Sequence, residues 1–179
     1  MLKKFPLNNP IVLVILFGSI SFLIASLTYF IIKQFLPQPV FSWPYVPAYH
    51  WQYPYQYISI ISIVYAILAT IWTHYFHYSI KEKKYLSITI LLVITILIGS
   101  ILCGILWGIH DTIIYGPSIR YPLKKLFIKN ILQGATGGFL VGWIVVLLSF
   151  PYNIIMFIWG IIITTKLSDF VSKRNISKK

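Results

Sequence analysis

Of 179 residues, 58% are hydrophobic and only 10% are charged, and the three acids face fifteen Lys and Arg for a net charge of +12. Soluble domains carry about 25% charged residues, so this composition excludes a chain that folds in water. Nucleic-acid binding is excluded too, because the basic residues sit in short patches flanking apolar runs, where they orient spans and meet anionic headgroups.

A membrane-spanning helix needs about 20 consecutive apolar residues. The first such run is 11–32, between Pro10 and Lys33. It is longer than the apolar part of a secretory signal and no A-x-A site follows, so it reads as a retained span. A proline- and aromatic-rich loop over 34–56 comes next, then a second run over 57–80 that ends in Lys81, Glu82, Lys83 and Lys84. The third run covers 85–109 as one helix, or 85–119 as a hairpin that enters and returns. A basic loop, 120–129, precedes the fourth run, 130–150. Pro151 and Asn153 then break the helix before a short last run, 154–167, and a basic tail. Lipid leaves unpaired backbone groups nowhere to bond, and the runs lack barrel-like alternation, so all are helices. The expected fold is an all-α polytopic membrane helix bundle with five to six transmembrane or re-entrant segments, one domain over 1–179.

The positive-inside rule gives two solutions. Five spans with the N-terminus outside put ten of fifteen basic residues inside, whereas six segments with both termini inside put fourteen there. The short arms of the hairpin, and the regular spacing of Ser100, Gly104, Gly108 and Thr112, favour one unbroken helix; the charge count favours the hairpin. Both solutions place the 120–129 loop and the C-terminal tail in the cytoplasm, beneath a plasma membrane.

Two ladders of small residues are the sharpest patterns: Ser100, Gly104, Gly108, and Gly134, Gly138, Gly142. Residues four apart share a helix face, and glycine there admits another backbone. Packing within the chain is the plain reading, and contact with another membrane subunit is the alternative. His110 and Asp111 follow the first ladder; buried in a hairpin they would form a ligand or proton site, whereas at the interface Asp111 merely caps a turn. His74 and His77, one helix turn apart, offer haem or metal ligation, but Lys81 and Lys83 nearby put them at the headgroup boundary as snorkelling side chains. No hard metal site is expected, because no carboxylate stands beside them. In the 34–56 loop, prolines stiffen a string of rings including His50 and Trp51. Such a loop either anchors at the interface or lies over the bundle as a lid that closes on a flat solute. Cys103 is the lone cysteine, which rules out an internal disulfide and any multi-cysteine metal site. There is no nucleophile–base motif, no paired carboxylate and no phosphate-binding loop, which points away from an enzyme.

Gly104-x-x-x-Gly108-x-x-Asp111 and the run from Gly134 to Gly142 resemble part of an S component, the substrate-binding membrane subunit of energy-coupling-factor vitamin importers. The resemblance covers 104–143, and the glycine run is similar to that of biotin-type members. It implies six helices, cytoplasmic termini and an outer loop after the first helix that covers the ligand. The leading expectation is a non-enzymatic solute-binding or transport subunit, with a pocket near His50, Trp51, Trp107, His110 and Asp111. The alternatives are a structural accessory subunit of a larger membrane complex (respiratory, secretory or transport), and a haem- or metal-carrying redox subunit using His74, His77 or His110.

Overall fold

The computed structural model describes residues 9–35, 55–76, 84–115, 123–142, 144 and 150–176. Five helices occupy them: α1 (Pro10–Phe35), α2 (Tyr55–Ile71), α3 (Lys84–Tyr115), α4 (Leu123–Gly137) and α5 (Tyr152–Ile176). Wider π turns extend two of them, Trp72–Phe76 after α2 and Gly138–Gly142 after α4.

Local chemistry sets the helix starts. Asn9 caps α1: its side-chain oxygen accepts from the Ile11 N–H at 2.9 Å, and Pro10, with no N–H to satisfy, takes the first helical position. At α5 the carbonyl of Pro151 accepts from the Ile155 N–H, closing the first turn. No proline falls within α3, and it runs for 32 residues without a break, a length of about 48 Å. The hairpin over 85–119 is therefore not formed within 84–115.

Three other boundaries differ from the sequence reading. The fourth segment begins at Leu123 rather than 130, so most of the supposed basic loop is the first two turns of α4. Its lysines are good helix formers, so polarity alone does not make this stretch a loop. The last helix spans Tyr152–Ile176 rather than 154–167, because the end of an apolar run does not itself stop a helix and no Pro or Gly follows Leu167 before Ile176. The second begins at Tyr55, two residues early, and its described part ends with the π turn at Phe76.

Contacts between named residues give the directions. Ser21 bonds Ser62 and Gly18 lies beside Ala66, so α1 and α2 are antiparallel. Trp72 Nε1 donates to Ser87 Oγ at 3.0 Å, and Gly99 meets Ile61, so α2 and α3 are antiparallel. Gly160 meets Leu92, and Lys84 pairs with Asp169, so α3 and α5 are antiparallel. Tyr65 meets Thr164 and Thr73 meets Ser168, so α2 and α5 are parallel. Gly104 faces Gly134 and Gly108 faces Asn130, so α3 and α4 are antiparallel. It follows that α4 and α5, consecutive in the chain, run in the same direction.

α1, α2, α5 and the first half of α3 form a bundle around Leu13, Phe17, Tyr65, Ala66, Ile88 and Ile163. The second half of α3 shares a cluster with the start of α2, Cys103 and Trp107 with Tyr57 and Ile61, and carries α4 as an arm. Four helical stretches, Pro10–Phe35, Tyr57–Tyr75, Lys84–His110 and Tyr152–Ser172, are long and apolar enough to cross a membrane.

Apolar side chains cover the outside as well as the core, and hydroxyls are buried among the helices. Ser21, Ser62, Thr70, Thr73, Thr95, Thr164 and Ser168 are buried, while Ile15, Leu27, Ile63, Ile90, Val93 and Ile158 are exposed. An outer surface this apolar needs lipid around it.

Candidate functional site

The closest approach in the described structure is the seam between α3 and α4. A Cβ on Gly104 would strike the carbonyl oxygen of Gly134, and one on Gly134 would strike that of Gly104. Likewise Gly108 faces the carbonyl of Asn130, and Gly138 that of Ser100. The two small-residue ladders, read separately from the sequence, are two sides of one contact. Where a Cβ would collide, glycine carries only a hydrogen, which points at the facing oxygen. Four Cα–H···O contacts result, together contributing about 2–4 kcal/mol at 0.5–1 kcal/mol each. Thr112 and Asn130 continue the register: Asn130 Nδ2 donates to Thr112 Oγ1 at 3.1 Å, and Thr112 itself donates to the Gly108 carbonyl. Gly142 follows in the π turn beyond Gly138.

A second seam was not singled out in the sequence. Gly160, Thr164 and Ser168 form a four-spaced face of α5. The Tyr65 hydroxyl lies 2.8 Å from Thr164 Oγ1 and donates to the Gly160 carbonyl at 3.3 Å; Thr73 and Ser168 hydroxyls meet at 2.8 Å. At the end of this row, Lys84 Nζ donates to Asp169 Oδ1 at 2.6 Å. The i, i+4 spacing was there to find, but hydroxyls in an apolar run attract less notice than glycines.

The ligand candidates fall as follows. Trp107 and His110 lie on the last turns of α3, their ring centroids 6.1 Å apart. The backbone of Asp111 continues the same helix, but its side chain is outside the described residues, as are His50, Trp51 and His77. The ends flanking the 34–56 loop, Phe35 and Tyr55, lie at the same end of the bundle as Trp107, because α1 runs with α3 and α2 against it. His74 is exposed at the opposite end, two residues past the Trp72 that bonds Ser87. Ser87 and His110 are about 35 Å apart along α3, so His74 and His110 cannot share a metal or a haem. Among the described residues no three His, Cys, Asp or Glu side chains gather as a metal group.

The basic 120–129 segment and the C-terminal tail also separate. Asn130 sits beside Thr112 at one end of α3, and Asp169 beside Lys84 at the other. That distance along α3 is about 42 Å, more than the roughly 30 Å of a hydrocarbon core. The expectation that both segments share the cytoplasmic side needs an even count of crossings between them. It treats α4 and α5 as two opposed crossings, whereas the two helices run the same way.

An apolar exterior, interior hydroxyls and four helices of spanning length define the class: a multi-pass helical membrane protein. No family model matches the chain, and neither a curated protein nor a solved structure matches it.

Proposed function

We propose that this chain is a membrane subunit that binds or transports a small solute at the end of the bundle where Trp107 and His110 lie. The observation that carries this reading is convergence: the flanks of the aromatic 34–56 segment, the last turns of α3 and the first turns of α4 belong to one end. His50 and Trp51 follow in the chain between those flanks, and aromatic side chains can stack on a flat solute. A second feature supports it. Extending the registers puts the end of the α4 π turn near the level of Ile96 and the start of α5 near Ile101, within the apolar stretch of α3. Helix ends that lie at membrane depth, as the start of α5 does here, are a recurrent setting for solute sites. The resemblance to S components points the same way. In this reading the protein is not an enzyme, and it carries no cofactor.

The test is mass spectrometry of small molecules released from the purified protein, with thermal-shift titration by water-soluble vitamins that carry a flat ring. The parent is expected to yield a bound solute or a shift, and Trp107→Ala with His110→Ala is expected to lose it. A parent that carries nothing and shifts with none of these probes sinks the proposal.

The alternative, an accessory subunit of a larger membrane complex, draws on α4. Among the described contacts α4 rests on α3, and it leaves Ile128, Leu132, Phe139 and Leu140 exposed. Stoichiometric co-purification of another chain, lost when Leu132 and Leu140 become alanine, would favour it over solute binding.

A further inference from the structure

We infer that the chain crosses the membrane four times, with α4 entering from the far side and only α5 completing the last crossing, so that the basic start of α4 is extracytoplasmic. The argument is one of direction and does not rest on the solute-binding reading. α1 runs with α3, α2 runs against both, and α4 and α5 run the same way as α2. Five helices therefore make three reversals that matter, and the chain ends on the side where α1 begins. α4 adds no crossing beyond that of α5. Its contact with α3 starts near Thr112, beyond the end of the bundle, and its described part reaches the level of Ile96. α5 then starts within about two turns of that level and runs down to Lys84.

Charge fixes the side. At the Lys84 end, counting chain order beyond the described helices, fall ten of the fifteen Lys and Arg; at the Thr112 end fall Lys33, Arg120, Lys124, Lys125 and Lys129. The richer side is cytoplasmic by the positive-inside rule. This ratio equals that of the five-span solution but with a different membership: Lys3, Lys4, Lys81, Lys83 and Lys84 move in, and Lys33, Arg120, Lys124, Lys125 and Lys129 move out. Lys129 is exposed and lies one residue outward of the Asn130–Thr112 bond, past the apolar part of α3. The same assignment puts the aromatic 34–56 segment outside.

The test uses full-length protein in intact cells, with Cys103→Ala removing the only native thiol. Single cysteines are placed by Phe127→Cys and Lys129→Cys at one end, and by Tyr85→Cys and Ser172→Cys at the other, and are probed with a membrane-impermeant maleimide. Two positions at each end keep the test readable if one variant does not fold. Labelling at 127 and 129 is expected in intact cells, and labelling at 85 and 172 only after permeabilisation. If 129 and 172 label from the same side, the shared fourth crossing is wrong. If 85 and 172 label from outside and 127 and 129 do not, the sidedness is wrong. Neither result bears on whether a solute binds, which mass spectrometry reads separately.

Discussion

Between α3 and α4 the contact is main chain on main chain, while between α2 and α5 it is hydroxyl on hydroxyl. The first works because four glycines and a serine present nothing beyond the backbone, so carbonyls and Cα hydrogens meet directly. The second works because Tyr65, Thr73, Thr164 and Ser168 present groups that would otherwise be unpaired in lipid. Both pairs of helices gain little from apolar surface, since lipid tails are as apolar as leucine. The difference lies in how each fails. A glycine seam has no slack, because the obstacle is backbone; a hydroxyl seam loses one bond at a time.

The largest expected effect comes from filling the glycine seam. Gly138→Leu forces a side chain into the Ser100 carbonyl, and neither backbone can step aside without parting the helices. The arm should come apart, read as loss of a cysteine cross-link between α3 and α4 and of a monodisperse detergent peak. Gly137 is the built-in control: a Cβ there meets nothing within 4 Å, so Gly137→Leu should behave like the parent. Equal damage from both, or from neither, would remove the backbone-contact account.

Gly160 lies between the two kinds of seam. A Cβ there would come within 2.7 Å of a Leu92 methyl, a flexible side-chain end rather than a carbonyl. Gly160→Ala should cost about 1–3 kcal/mol, the usual range for overpacking. Adding Leu92→Ala should recover part of it, a compensation that no partner substitution should give Gly138→Leu. Denaturation of all three variants in mixed micelles measures the coupling.

The sequence made the helical membrane class plain, since runs of about 20 apolar residues have no other home. It also made both glycine ladders plain, but not that Gly104 faces Gly134, because four-residue spacing names a face and not its partner. Directions were the hard part. Charge counts treat every apolar run as a crossing, and nothing in the 130–150 run says that its helix runs the same way as the next one. The polar row was hidden for a simpler reason: Thr164 and Ser168 sit in a run whose mean hydropathy marks only a span. Of the ligand candidates, Trp107 and His110 could be set together as neighbouring turns of one helix. The aromatic loop stays a matter of chain order.

A smaller effect is expected from the hydroxyl row. Thr164→Val keeps the shape and removes the oxygen that faces Tyr65, while the Tyr65 hydroxyl keeps the Gly160 carbonyl at 3.3 Å. Interhelical hydrogen bonds in membrane proteins average about 0.6 kcal/mol with a maximum near 1.7, so the loss should fall in that range. Ser168→Ala should cost a similar amount, because Thr73 retains the Ala69 carbonyl at 2.7 Å. A loss several times larger in either variant would mean that the row acts as one network rather than as separate bonds.

The smallest effect should come from the ion pair that ends the row. Lys84 and Asp169 meet at 2.6 Å, with their side chains 20% and 45% exposed, so the pair sits at the bundle's edge. Exposed pairs of this kind contribute about 0.2–1 kcal/mol and are screened by salt. Asp169→Asn should therefore lower stability by no more than that, with the difference shrinking at high salt. The reason for measuring so small a change is positional. If the Lys84 end is at the water boundary, as the four-crossing arrangement requires, salt reaches the pair and the effect is screened. If the pair were instead inside the apolar layer, removing one partner would leave a charge without compensation, at a cost of about 3–5 kcal/mol that salt would not change. Unfolding of the parent, Asp169→Asn and Lys84→Met at low and high salt separates the two. A large, salt-independent loss would move the boundary of the bundle, and with it the depth assigned to every helix end.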